Sequence, residues 1–206
     1  ASVVIGGAEL FTGNNLITMA WASQKVSTLR MLRNWGIVYL GNFIGALGTA
    51  FLVALGGSYK AGGGSVGKVA LDIGLSKVHL DFSFAFVLGI LCNALVCLAV
   101  WLSFSARTTS DRLLAILFPV AGFVACGFEH SIANMYFIPF SILIQQTAPP
   151  AFWESIQKSA SDYADLTLYA FLIKNLLPVT LGNIVGGGGL VAMMYWGIYL
   201  RPSLQK

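Results

Sequence analysis

Of the 206 residues, 57% are hydrophobic and 10% are charged, whereas soluble domains carry roughly 25% charged residues. One core in a chain this size cannot hide so much apolar surface, so lipid must solvate much of it. The net charge of +4 is scattered with no Lys/Arg block, which excludes a nucleic-acid footprint. Cys92, Cys97 and Cys126 all fall inside apolar runs without disulfide or zinc spacing; they read as reduced, packed thiols, and no metal site is expected.

Apolar runs long enough to cross about 30 Å of hydrocarbon predict five segments, at 2–21, 35–57, 79–104, 113–145 and 170–200. The opening residues lack a basic region ahead of their apolar stretch, so a cleaved signal peptide is not expected. A short basic loop is predicted over 22–34 and a Gly/Ser/Lys loop over 58–78. The fourth apolar segment is too long for one straight span and is expected to break near its middle. The connection 146–169 contains Pro149 and Pro150 and is expected to carry a short interfacial helix around Trp153. Lys25, Arg30, Arg33, Arg107, Arg112, Arg201 and Lys206 fall at one alternating set of segment ends; Lys60, Lys68, Lys77, Lys158 and Lys174 fall at the other, on longer loops. By the positive-inside rule the arginine-bearing ends and the C-terminus are expected to be cytoplasmic, in a multi-pass inner-membrane protein.

Two patterns occur twice. Gly7, Glu9, Gly13 and Asn14 recur in register as Gly127, Glu129, Ala133 and Asn134. Asn34, Val38, Leu40, Gly41, Asn42, Gly45 and Gly48 recur as Asn175, Val179, Leu181, Gly182, Asn183, Gly186 and Gly189. The repeats are placed at 1–57 and 79–200 of a single transmembrane domain spanning 1–206. The second has a plain span, 79–104, ahead of its broken segment, and the first does not. This predicts a helix missing from the front of the first repeat. Three spans per repeat, an odd number, predicts an inverted pair in an all-α membrane protein with broken helices.

A glutamate inside an apolar span costs a few kcal/mol unless it has a partner or water. Glu9 and Glu129 are bracketed by Gly, Thr, Ser and Asn, which favour non-helical backbone. Irregular backbone at that depth survives only when buried in protein or lining water. These residues, with Asn14 and Asn134, are therefore expected to hold the broken helices together, the carboxylates through backbone N–H groups. The half-helix N-termini would favour anions.

His130 is the one histidine within an apolar span, since His79 stands at a loop boundary, and its imidazole can donate to or protonate a small anion near neutral pH. Thr12 is its near counterpart in the first motif. Asn93, polar and mid-span, must find a partner: it either faces His130 or joins helices. Lys77 reads as a solvated loop lysine or as an attractor of anions at a pore mouth. Leu10, Phe11 and Phe123 flank the two motifs and are the candidates for an apolar constriction. The glycine patterns have helix-packing spacing.

In GAELFTGNNL (7–16), KVH (77–79), GFEHSIANMYFIP (127–139) and LPVTLGNIVGGG (177–188), the chain resembles the formate/nitrite transporter family along essentially its whole length. The resemblance implies an aquaporin-like fold in a homopentamer within the lipid bilayer, with one pore per protomer and no cofactor. It implies a central polar pair of Thr12 and His130, with Asn93 bonded near His130 and Lys77 attracting anions. It makes Leu10, Phe11 and Phe123 the apolar neck. Formate is the expected substrate, and nitrite and hydrosulfide are alternatives within the family. A neutral-solute pore is a rival, although neither half contains Asn-Pro-Ala; a haem- or quinone-binding subunit is another, although two histidines make a poor ligand set. Nothing in the chain forms a nucleophile–base pair, so an enzyme is not expected.

Overall fold

The computed structural model describes residue 3 and residues 5–201, and every regular element among them is helical. In chain order these are α1 (Phe11–Asn14), α2 (Ile17–Ala22), α3 (Thr28–Leu55), α4 (Ser65–Val78), α5 (Phe82–Ser103), α6 (Thr109–Ala125), α7 (Ser131–Thr147) and α8 (Pro150–Ile156). The last, α9 (Ala170–Leu200), is a continuous helix. It is wound in wide π-type turns over Ala170–Leu176 and Val185–Met193.

Three helices among the described residues are long and apolar enough to cross a membrane: α3, α5 and α9. The two other expected segments are both interrupted. Among its described residues the first contains only four-residue α1 and six-residue α2. The long fourth segment divides into α6 and α7 on either side of Cys126–His130, as its length required. Each interruption is approached through a glycine in the left-handed region, Gly7 at φ +70° and Gly127 at φ +66°. Glycine populates that region without the Cβ clash other residues meet, so the repeated glycines are part of the break itself.

Two expected loops are corrected. The stretch 22–34 is not all loop, because α3 begins at Thr28 and carries Arg30 and Arg33 in its opening turns. A 28-residue helix is about 42 Å long and outruns the hydrocarbon, so its charged end reads like a loop while staying helical. The stretch 58–78 likewise folds largely into α4. Gly67, Leu71, Gly74 and Val78 are buried along one face of α4, at the spacing of an amphipathic helix, with Lys68 and Asp72 paired at 2.8 Å one turn apart. The small residues hide this pattern from a hydropathy scan. The helix expected around Trp153 is α8.

Close contacts divide the chain into two units, each of non-contiguous segments. The first comprises 1–42, 86–131 and 179–206. Its packing rests on α5 lying against α9: a Cβ at Gly182 would collide with the carbonyl of Phe86, and one at Gly186 with the carbonyl of Ile90. The second unit comprises 43–85 and 132–178. There Ser141 donates to the carbonyl of Ala70 at 2.7 Å and Tyr163 donates its hydroxyl to Asp72 at 2.8 Å. Phe152 closes over Gly67, where no side chain would fit.

The contact between α5 and α9 is testable within one helix. Gly186→Ala should destabilise by about 1–3 kcal/mol through overpacking and lower the midpoint of thermal unfolding in detergent. Gly189→Ala, whose Cβ would meet only Val185 at 3.9 Å, should not lower it. Equal losses from the two would remove the close-approach explanation.

Candidate functional site

Broken backbone exposes amides and carbonyls that lipid cannot satisfy, and in this fold asparagine side chains take them up. In the first unit, Asn42 accepts from the backbone N–H of Phe11 at 2.9 Å and donates to the carbonyl of Glu9 at 3.1 Å. Asn183 does the same at the other break, accepting from the N–H of Ser131 at 2.9 Å and donating to the carbonyl of Glu129 at 3.0 Å. It also donates to the carbonyl of Gly89 at 2.8 Å. Asn42 and Asn183 are register partners in the sequence repeat, as are Phe11 and Ser131. The repeat therefore holds at the level of individual hydrogen bonds.

A further pair of amides follows the same rule. Asn14 donates to Asn34 at 3.0 Å, and in the second unit Asn134 donates to Asn175 at 2.8 Å. The Glu9 carboxylate accepts from the side chains of Asn14 and Asn34, at 2.8 and 3.1 Å. The Glu9 carboxylate thus meets side-chain amides, where backbone N–H groups were expected. The first N–H of each half-helix is taken by an asparagine, so those two donors serve the fold.

Inside this frame lie Thr12 and His130. Thr12 is fully buried and His130 is 8% exposed; Thr12 Oγ1 and His130 Nε2 share a hydrogen bond of 3.1 Å. The Phe123 ring stacks on the imidazole with centroids 5.7 Å apart and planes 22° from parallel. Asn93, fully buried, donates to the carbonyl of Thr12 at 3.1 Å and to that of Asn183 at 2.6 Å. It therefore joins helices and fixes the Thr12 backbone. Cys97 adds a thiol contact to the same Thr12 carbonyl at 3.4 Å. Gly187 leaves the room this needs, since a Cβ there would collide with Asn93 and Cys97.

The three neck candidates fare differently. Phe123 lies on the histidine. Leu10 is half-buried at the start of α1. Phe11 is 3% exposed and packs edge-on against Tyr39 and Trp35, with centroids 4.9 and 6.1 Å away. Lys77, in the second unit, stands in the last turn of α4, where positive charge suits the helix dipole. It is helical and half-buried rather than a freely solvated loop lysine. Asn134 lies in the second unit with its partner Asn175, whose own amide donates to the Lys77 carbonyl at 2.9 Å.

Asn34, Asn42, Asn175 and Asn183 carry these bonds, yet the sequence marked them only as members of a glycine-rich packing repeat. Their recurrence at fixed distance from each broken motif was the available signal. Among the described residues, no group of three or more His, Cys, Asp or Glu side chains is placed to hold a metal ion.

A family model described as "Formate/nitrite transporter" matches residues 1–197. The chain is 46% identical to "Formate channel FocA" of Escherichia coli K12 over 97% of this chain and 70% of that protein. Among solved structures it is similar to a "Pentameric formate channel with formate bound", with a TM-score of 0.90 and 48% identity over 97% of this chain and 78% of that one. It is also similar to an "FNT family ion channel", with a TM-score of 0.79 and 31% identity over 95% and 71% of the two chains.

The asparagine brackets differ in burial: Asn183 is fully buried, and Asn42 is half-buried. Asn183→Ala should therefore cost about 2 kcal/mol or more, the penalty for orphaned buried groups, and Asn42→Ala distinctly less. Thermal unfolding of both variants in one detergent checks the order, and a reversed order would contradict the bracket account.

Proposed function

The chain belongs to the formate/nitrite transporter family, and from that premise we propose that it is a homopentameric inner-membrane channel for small monovalent anions, formate above all. Its relatives are named as channels and transporters rather than enzymes. Formate and the pentamer are supported by the solved channel of that description, at a TM-score of 0.90. The observation that carries the site assignment is the buried Thr12–His130 hydrogen bond beneath a stacked phenylalanine.

The mechanism follows from what an anion costs in apolar surroundings. A bare monovalent ion entering a dry neck loses hydration worth several kcal/mol or more. Lys77 raises the local anion concentration at the mouth, and Leu10, Phe11 and Phe123 form the neck. There Thr12 offers a hydroxyl, and His130 offers an N–H or a proton. A hydrogen bond or a transferred proton lowers the charge carried through, and Phe123 keeps water off the imidazole. Asn93 and Cys97 hold the Thr12 carbonyl, which leaves the Thr12 hydroxyl with a settled position against His130.

The two repeats, 1–57 and 79–200, are read as an inverted pair within one channel domain, with the C-terminus cytoplasmic. The matched asparagine brackets support the pairing, and so does a contact between register partners: Tyr39 and Thr180 share a hydrogen bond of 2.9 Å. Equivalent residues that touch are what a two-fold relation produces where its axis passes.

Reconstituted flux of formate, nitrite, chloride and hydrosulfide, compared side by side, tests the substrate, with formate expected to pass fastest. His130→Phe should flatten the pH dependence of formate flux between pH 5 and 8 and alter the preference for anion over acid. A variant profile that overlays the parent across this range would end the proton-donor role.

A further inference from the structure

One stripe of α3 holds the first break. Trp35, Tyr39 and Asn42 stand at steps of four and three residues along α3, which puts them on one helix face, and all three meet the broken segment. Trp35 donates its indole N–H to the carbonyl of Asn14 at 3.1 Å. Asn42 brackets the N–H of Phe11 and the carbonyl of Glu9. The rings of Trp35 and Tyr39 meet that of Phe11 in edge-to-face geometry. Tyr39 alone of the three sends its polar end to another helix: its hydroxyl shares a hydrogen bond of 2.9 Å with Thr180 of α9. Thr180 lies one turn before Asn183, which closes the second break. All these residues belong to the first unit.

The bond does more than satisfy a hydroxyl in an apolar span. It fixes the Tyr39 ring at both ends, at the backbone by α3 and at the hydroxyl by α9, so the surface that Phe11 packs on cannot pivot. Phe11 is 3% exposed, its ring lies 4.9 Å from that of Tyr39 with planes 77° apart, and its backbone N–H is already taken. A ring enclosed in this way keeps one rotamer while its wall stays still, and it gains a second when the wall gives.

We infer that the Tyr39–Thr180 bond is a specificity-determining latch: it holds the Phe11 ring at one position in the neck and so sets the size of anion that passes. The inference rests on the reading of Phe11 as part of an anion channel's neck. Tyr39 and Thr180 are positioning residues, which act on the neck through Phe11 and do not touch the anion. With the latch closed, the neck favours formate over larger carboxylates. With it open, the ring samples a second position and the neck discriminates less. A hydrogen bond of ordinary net strength shifts such a population about two- to tenfold.

The test uses purified protein in liposomes at pH 7.5 on both sides, where formate and acetate are both ionised, with the rates of protein-free liposomes subtracted. Acetate is larger than formate by one methyl group. The readout is the acetate-to-formate ratio of initial rates, in which the amount of folded channel cancels. Tyr39→Phe keeps the ring and removes the hydroxyl, and should raise the ratio about two- to tenfold. Thr180→Val should raise it equally, and Thr180→Ser, which keeps a hydroxyl, should preserve the parent ratio. The double variant Tyr39→Phe, Thr180→Val should go no further than either change alone, because both remove the same bond. Gly67→Ala, in the second unit where Phe152 leaves no room for a side chain, should lower the thermal midpoint without moving the ratio. A Tyr39→Phe ratio equal to the parent's, additive changes in the double variant, or an equal rise in Gly67→Ala each overturns the latch. Phe11→Ala separates the latch from the reading beneath it. Absence of formate flux in the parent refutes the channel, and a parent ratio in Phe11→Ala refutes Phe11 as a neck residue. A raised ratio in Phe11→Ala beside a flat one in Tyr39→Phe refutes the latch alone.

Discussion

The polar groups at the centre of the first unit depend on asparagine side chains that close the backbone where two helices break. A half-helix at membrane depth presents amides and carbonyls that lipid cannot satisfy, each costing about 1–3 kcal/mol if left bare. One carboxamide meets both needs at once, because it carries a donor and an acceptor on a short stem. Asn42 and Asn183 use both ends in the same way, on the N–H of Phe11 and the carbonyl of Glu9, and on the N–H of Ser131 and the carbonyl of Glu129. A serine could not span both groups, and a carboxylate would bring a charge without a donor. The repeated asparagine is the economical solution.

With the breaks closed in this way, the residues beside them are released from structural duty. His130 occupies the register of Leu10, and Ser131 that of Phe11. The frame is common to both halves while the groups it presents differ. The asymmetry puts one imidazole at the centre, bonded to Thr12 and stacked under Phe123. A second imidazole in its place would add a like charge on protonation. Leucine instead keeps the matching position of the first repeat apolar, in keeping with the neck proposed for it.

The glycines perform the complementary task. Gly182 and Gly186 let α5 and α9 approach at backbone distance, and Gly187 clears the space in which Asn93 reaches the carbonyls of Thr12 and Asn183. In membranes small residues are a main route to tight helix contact, because the hydrophobic effect no longer drives helices together. Here the same close contact positions a polar residue of the site, so packing and chemistry share the α5–α9 seam.

The sequence by itself determined the solvent, the two breaks, their repetition and the residues of unusual chemistry. These properties are local: composition sets hydropathy, glycine permits a left-handed turn, and a glutamate or histidine in an apolar run advertises its own cost. It also marked Thr12, His130, Asn93 and Phe123, which the fold gathers into one cluster. The tertiary structure alone decided which atoms pair. Nothing in the spacing of Asn42 or Asn183 says that its carboxamide reaches back 31 or 52 residues to an orphan amide, and nothing near Asn93 says that its partners are carbonyls. The helical state of 65–78 was hidden because its buried face is half glycine, which hydropathy scores do not register as core. Phe11 was legible as an aromatic beside the break, but its packing against Trp35 and Tyr39 depends on where α3 runs. Hydrogen bonds between distant segments depend on chain path, and the path follows from packing that no single stretch of sequence contains.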